Sequence, residues 1–328
     1  MAAMTQRDVT VLITCYNEGA YVGGAVAAVL RQTASERIAE IILVDNASHD
    51  GSADVVAKLA AETPRAKAIL IPKNRGPSGS RNAGLAEVKT PWVAFNDGDD
   101  YWADDKLERQ LAAMARTGGE TALYYGDFVQ FTDDPAAGET IRTRALNGAG
   151  QDLLKRYFLF DGPIMPSTAL VKMEASAAIG HFDEAIPLFE DTDYCMRLAG
   201  AGARFEHVGG VHTYKRVRAG SLSSQIHDWE GAMLKETRAV AARHPELAAL
   251  APRRNSFRMA KIADSHFAAG SDQTGWKALS AAWRANPLNP RVYLYGAIAI
   301  FPKGVRESIK LTLRRVRRAA MGRRAQAA

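Results

Sequence analysis

The chain has 328 residues, 47% of them hydrophobic and 24% charged, with a formal net charge of +6. That length can bury a sizeable core and predicts one large α/β unit with an appendage, or two domains. No run of about 18 uncharged apolar residues exists, which excludes a spanning helix, and two cysteines, Cys15 and Cys195, exclude a disulfide framework and fit a reducing compartment.

The charge is uneven. Residues 1–228 hold 23 Lys+Arg against 30 Asp+Glu, whereas 229–328 hold 19 against 6. An acidic body with a basic tail speaks against a nucleic-acid groove through the body and leaves electrostatic contacts to the tail. The opening MAAMTQRDVTVLIT has no long apolar segment after a basic start, so a secretory leader is not expected.

Residues 9–14 (VTVLIT) predict a buried strand, followed by the loop Cys15-Tyr16-Asn17-Glu18-Gly19 and a helix over about 21–32. Residues 40–44 predict a second strand, ending at Asp45 and the loop Asn46-Ala47-Ser48-His49-Asp50-Gly51-Ser52 ahead of a helix over about 53–61. A third strand over 68–71 leads into Asn74-Arg75-Gly76-Pro77-Ser78-Gly79-Ser80-Arg81-Asn82 and another helix. The fourth strand, 92–95, empties into Asn96-Asp97-Gly98-Asp99-Asp100-Tyr101-Trp102. Repeated β–loop–α units predict a parallel sheet flanked by helices, with ligands outside the carboxyl ends of the strands, where all four loops fall.

Beyond this point the pattern changes. Residues 121–131 (TALYYGDFVQF) alternate like a strand with two wet faces, 132–150 read as an exposed loop, and 167–171 read as a further strand. Leu188-Phe189-Glu190-Asp191-Thr192-Asp193 reads as an acidic helix start. Residues 225–285 look mostly helical, with Trp229, Ala232, Met233 and Val240 at helical spacing and Thr237 in the polar gap. Residues 292–301 are apolar but too short to cross a bilayer, so a buried or interfacial segment is expected. After Pro302, Val305, Ile309, Leu313 and Val316 line one helical face, with Arg306, Lys310, Arg314, Arg315, Arg317 and Arg318 around it. Such a helix lies on anionic lipid, or packs on its own domain and frays into the tail.

Three carboxylates within four positions at a strand end repel one another unless a cation offsets them. Hard cations such as Mg²⁺ or Mn²⁺ take one or two protein carboxylates together with substrate phosphate oxygens, so the corner suggests a metal–diphosphate clamp. Taken alone, an Asp-rich turn explains it equally well. Tyr16 offers an aromatic face and Asp45 a fixed acceptor for a base edge, or else loop packing and a turn. Arg81, near a helix start after a Gly-rich loop, would meet diphosphate oxygens or make a surface ion pair; no Gly-Lys-Ser/Thr makes this a Walker loop.

The motifs Ile13-Thr14-Cys15-Tyr16-Asn17-Glu18, Leu43-Val44-Asp45 through Ser52, Asn74-Arg75-Gly76 with Arg81-Asn82-Ala83-Gly84, Phe95 through Asp100, and Glu190-Asp191 with Arg197 resemble, in order and spacing, family 2 glycosyltransferases of the GT-A fold. The likeness spans residues 9 to about 223. It implies a catalytic domain over 1–224 and a helical, basic extension over 225–328. It implies a nucleoside beside Thr14, Tyr16, Glu18 and Asp45, with Arg81, Gly98 and the Asp97-x-Asp99 pair holding donor ribose and diphosphate. A Mg²⁺ or Mn²⁺ would sit on Asp97 and Asp99, with Asp100 a further candidate ligand. Asp191 would be the general base of an inverting transfer. The implied partners are a nucleotide-sugar donor, UDP-linked by resemblance, and a glycan or lipid-linked saccharide acceptor. The expected place is the cytoplasm, peripheral on the inner face of the membrane.

In one stretch the sequence departs from the family. The family's Tyr-Arg-x-His-x-Gly-Ser pattern appears as Tyr214 through Ser223 with Arg218 where the histidine would fall. Either His212 substitutes or the metal has no imidazole ligand, and Arg218 would then be free to contact phosphate. Two other classes compete: a sugar nucleotidyltransferase, which would want a basic Gly-rich loop where Cys15 through Glu18 stand, and a non-catalytic glycan-binding scaffold, which would have no use for Asp97, Asp99 and Asp191.

Overall fold

The computed structural model describes residues 7–143, 145–160, 164–218, 229–309 and 311–313. The chain divides into two units, Met1–Gln225 and Ile226–Ala328.

The first unit begins with β1 (Val9–Cys15), α1 (Val22–Leu30), β2 (Ile38–Asp45), α2 (Ser52–Glu62), β3 (Ala66–Leu70), α3 (Gly76–Leu85) and β4 (Trp92–Asp97). These four strands pair in parallel in the order β3-β2-β1-β4. Because β1, β2 and β4 are interior strands with helices against the sheet, they read as near-continuous apolar runs rather than alternating ones. Register then fixes the site: Cys15 lies opposite Asp45, and Thr14 opposite Asp97. Three strands therefore release their loops side by side.

The unit continues with β5 (Tyr101–Trp102), α4 (Lys106–Arg116), β6 (Thr121–Phe131), β7 (Glu139–Ile141), α5 (Gly150–Phe160), β8 (Leu170–Lys172), α6 (Met173–Ala178), α7 (Glu190–Gly200) and β9 (Arg204–Arg216). Strand β8 joins β4 antiparallel and carries the sheet on through β6, β9 and β5. Within this half β6 and β9 run parallel.

Two expectations need correction. Strand β6 is not wet on either face: ten of its eleven residues are buried or half-buried and only Gln130 is exposed. The tyrosines that made it look polar turn inward, with Tyr124 Oη paired to Thr117 Oγ1 and Tyr125 Oη accepting from the Leu146 amide at 2.8 Å. The strand expected over 167–171 is shorter, because Pro166–Thr168 form a 3₁₀ turn first.

In the second unit, α8 (Trp229–Arg243), α9 (Ala251–Ala269), α10 (Asp272–Ala285) and α11 (Pro290–Ala299) surround a core of Met259, Ala263, Phe267, Leu279, Ala282 and Val292. Gly275 is required there, since a Cβ would stand 2.5 Å from the Phe267 ring. In α8, Val240 and Thr237 are both buried, and Thr237 Oγ1 donates to the Met233 carbonyl at 3.0 Å. Glu236 sits buried between Arg254 and Arg258, at 3.0 and 2.5 Å.

Residues 303–309 and 311–313 are helical, but the face drawn from sequence is not the one observed. Arg306 is buried, both terminal nitrogens on the Asp272 carboxylate at 2.6 Å, while Val305 and Leu313 are exposed. Val316 and Arg314, Arg315, Arg317 and Arg318 lie outside the described residues. Among the described residues no helix is long and apolar enough to cross a membrane.

Candidate active site

The loops after β1 and β2 and the turn leading into α3 are knitted into one rim. The Asn17 amide donates to Ser48 Oγ at 2.9 Å and the His49 amide to Asn17 Oδ1 at 2.8 Å, while the Glu18 amide reaches Ser52 Oγ at 3.0 Å. Asn17 takes left-handed backbone (φ 54°), which asparagine tolerates, as does Ala47 (φ 59°), which is costlier for a residue with a bare methyl. Asn46 carries the rim onward, donating to Asn74 Oδ1 and the Gly76 carbonyl and accepting from the Arg75 amide at 3.0 Å.

At the mouth of this rim, Tyr16 is exposed and meets His49 edge to face. Asp45 is 1% exposed. Its Oδ2 accepts from the Ser48 amide at 3.0 Å, whereas its Oδ1 has no protein partner. A buried carboxylate oxygen left without a donor is costly unless a ligand supplies one.

The acidic corner after β4 is built from inside. The Gly98 amide donates to the Thr14 carbonyl at 2.8 Å, and a Cβ there would stand 2.7 Å from Glu18 Oε2 and 3.2 Å from that carbonyl, so this approach needs glycine. Asp100 is buried and both its oxygens are engaged, Oδ2 by Ser167 Oγ at 2.7 Å and Oδ1 by the Arg216 amide at 3.1 Å. These bonds hold the expected further candidate ligand from inside the protein and anchor the corner. Ser167 also accepts from the Asp97 amide at 3.1 Å. Sequence reasoning missed this serine, and no motif marks it.

Glu18, Asp97 and Asp99 face one another. Burial pushes the Glu18 carboxyl well above its ordinary range, and the charges of Asp99 and Asp97 push it further. Asp99 is raised in the same way, by burial and then by Asp97. The cation that answers Glu18 and Asp99 is Arg218, whose guanidinium lies 2.7 Å from Glu18 Oε1 and 2.8 Å from Asp99 Oδ2. Arg218 thus reaches the acidic corner. His212 does not: it is buried against Gly126, with burial holding it down at about 4 and the Lys106 charge adding to that.

Arg81 is buried, with its two terminal nitrogens 2.9 Å from Asp97 Oδ1 and Glu190 Oε1 and its Nε without a protein partner. It ties the end of β4 to the start of α7. There Phe189 takes left-handed backbone (φ 63°) just before the Glu190-Asp191 pair, a strained turn for an aromatic residue of the kind that marks functional sites. Asp191 is half-buried beside an apolar cavity lined by Phe95, Ile164, Phe182 and Tyr194. Burial pushes its carboxyl up to about 6; the Glu190 charge raises it too, and the Thr192 amide, donating at 2.6 Å, works the other way. A carboxylate poised there can accept a proton near neutral pH.

The corner suits a hard divalent ion in the chemistry of its donors, which are all carboxylate oxygens. Among the described residues no three His, Cys, Asp or Glu side chains converge closely enough to hold a metal unaided.

Residues 10–163 match the family model described as Glycosyl transferase family 2. This segment belongs to that family. Among curated relatives of the family 2 segment, the chain is 33% identical to the succinoglycan biosynthesis protein ExoO of Rhizobium meliloti over 35% of this chain and 32% of that one. It is 29% identical to the amylovoran biosynthesis glycosyltransferase AmsB of Erwinia amylovora over 51% and 56%. It is 26% identical to WfaP of Escherichia coli, a UDP-Glc:alpha-D-GlcNAc-diphosphoundecaprenol beta-1,3-glucosyltransferase, over 66% and 80%. The chain spans less than half the length of several curated relatives it matches, from 32% to 44%. In fold it resembles S. aureus TarS 1–349 in complex with UDP-GlcNAc (TM-score 0.62, 17% identity, 93% of this chain and 92% of that one). It also resembles the mannosyltransferase PcManGT of Pyrobaculum calidifontis in complex with GDP-Man and Mn²⁺ (TM-score 0.57, 17% identity, 92% and 84%). The family 2 domain therefore has a GT-A fold.

Proposed function

We propose that this chain is an inverting, metal-dependent glycosyltransferase that moves a sugar from a UDP-linked donor to a hydroxyl of a glycan or lipid-linked saccharide. The observation that carries the reading is the Arg81 bridge, which brings the Asp97/Asp99 corner and the Glu190-Asp191 turn together although they lie far apart in sequence. Catalysis is assigned to residues 1–224 and the helical extension to 225–328.

The unpartnered Oδ1 of Asp45 would accept a base ring N–H, with Tyr16 offering its face to the base and Thr14 and Glu18 lining the ribose side. Asp97 and Asp99 would hold Mg²⁺ or Mn²⁺, which when bound neutralises charge on the departing diphosphate as a Lewis acid. Arg218 is within reach of the same oxygens once it leaves Glu18 and Asp99. Asp191 would take the acceptor hydroxyl's proton on the face opposite the leaving group, and its raised affinity for protons suits that task.

Support for a UDP sugar comes from TarS, solved with UDP-GlcNAc, and for a divalent ion from PcManGT, solved with Mn²⁺. The diphosphoundecaprenol acceptor of WfaP supports a lipid-linked acceptor here. The test is a panel of nucleotide sugars with Mn²⁺ or Mg²⁺, followed by thermal shift and nucleoside diphosphate release. A single UDP-sugar should stabilise the protein only with metal and should release UDP slowly. Pyrophosphate formed from a nucleoside triphosphate and a sugar phosphate would replace this reading with nucleotidyl transfer.

A further inference from the structure

The second unit leaves an apolar strip uncovered. Trp283, Leu288, Tyr293, Leu294, Ile300 and Phe301 are all exposed, Leu288 at 88% and Ile300 at 71%. They lie together because α10 and α11 run as a hairpin. The far end of α11 is close to the start of α10, where Gly296 faces Trp276 and Arg306 grips Asp272. At the other end Tyr293 Oη donates to the Pro287 carbonyl at 2.7 Å, which sets its ring beside the Leu288 turn. Single exposed apolar residues need no explanation, but six large ones within residues 283–301, on one hairpin and the turn after it, are more than scatter and mark an interaction surface.

The charges around the strip choose its occupant. Between 273 and 313 the sequence holds one acidic residue, Glu307, against Lys277, Arg284, Arg291 and Lys303 among others. All four are exposed, three on the same two helices and Lys303 at the start of the helical stretch 303–309. A second copy docked through this face by a two-fold axis would bring like charges together. An anionic bilayer would instead meet the basic rim, while the tryptophan and tyrosine rings take the headgroup level that such amphipathic rings favour.

We propose that the exposed face of the α10–α11 hairpin is a docking surface for anionic lipid. Leu288 and Ile300 enter the acyl boundary, with Trp283 and Tyr293 at the headgroup level. This places the contact on a folded hairpin, and not on the basic tail that the sequence drew attention to. It deepens the reading of a lipid-linked acceptor and rests on it for its purpose. Vesicle binding is measured without donor or acceptor, however, so the two can fail separately.

The experiment is co-sedimentation of the full chain with phosphatidylglycerol-rich vesicles and with pure phosphatidylcholine vesicles. The intact protein should partition to the anionic vesicles and be released by high salt. The triple variant Trp283→Ser, Leu288→Ser, Ile300→Ser keeps the whole tail, and all three positions are exposed, so its fold should survive. It should lose about ten-fold or more in partitioning, with far-UV circular dichroism and transfer to a soluble acceptor unchanged. The variant Lys277→Gln, Arg284→Gln, Lys303→Gln should lose the preference for anionic over neutral vesicles. The proposal is overturned if the triple variant binds as well as the intact protein, because the tail is then sufficient. It is equally overturned if the intact protein binds no vesicle, or if the triple variant only converts a dimer to a monomer in light scattering.

Discussion

Replacing Asp191 by asparagine should disable the enzyme and strengthen the fold, and the two effects have one cause. The carboxyl is held at about 6 against an ordinary 3.8, so ionising it in place is unfavourable by about 2 pH units, or roughly 3 kcal/mol. Asp191 is half-buried, and water reaching it reduces this to about 1–3 kcal/mol. The sign follows from linkage: a carboxyl with a raised folded value contributes stability that is complete below 3.8 and lost as pH rises through about 6. The substituted amide would carry no charge, and its oxygen would still accept from the Thr192 amide. Asp191→Asn should therefore melt about 2–8 °C above the parent at pH 8 and level with it near pH 3.5. Transfer should fall by about 10²–10⁴-fold, the usual loss of a general base, and the parent's kcat/KM should rise with pH to a plateau above about 6. Scanning calorimetry across pH and UDP release with a saturating acceptor measure both. A variant with near-normal turnover, or one less stable than the parent at pH 8, would refute the assignment.

Removing the strut, Arg81→Ala, leaves Asp97 and Glu190 without their shared cation. Urea unfolding should show a loss of about 2–4 kcal/mol, below the full buried-pair value because Asp97 is partly exposed, and Arg81→Lys should not restore it since one ammonium cannot fork between two carboxylates. Asp99→Asn should weaken Mn²⁺-dependent nucleotide binding about ten-fold or more in calorimetric titration, while binding without metal changes little. Lys106 is fully buried, with a single hydrogen bond to Gln110 Oε1 at 3.0 Å and its Nζ 3.9 Å above the Trp102 ring, and burial drives its ammonium well below the ordinary range. Lys106→Met should therefore raise the melting temperature at pH 7. The parent's own stability should climb toward alkaline pH as the unfolded chain gives up its proton, which closes the gap above about pH 10.5.

The parallel half of the sheet was legible because interior strands announce themselves. VTVLIT, EIILV and WVAF are apolar on both faces and each empties into a polar loop, so the strand ends and the loops beyond them could be aligned from the residues alone. The antiparallel half was not. In β6 tyrosine stands for a wet position in a pattern, yet Tyr124 and Tyr125 are core residues whose hydroxyls find partners inside. The site followed the same division. Residues contributed by one loop were visible as motifs, whereas pairings between distant segments left no trace in spacing: Arg81 with Glu190 is 109 positions apart, and Arg218 with Glu18 is 200. Arg306 failed for a related reason, since helical periodicity assigns a face but not an aspartate partner on another helix.

The Arg81 bridge has a bearing on how such a domain can diversify. Its planar fork is a spacer of fixed length whose ends are hydrogen-bonded to the close of β4 and to the first turn of α7. An exposed loop in the intervening chain, such as 132–137, can change without altering the span between Asp97 and Glu190. One side chain thereby sets the distance between two segments while the surface around it is free to vary.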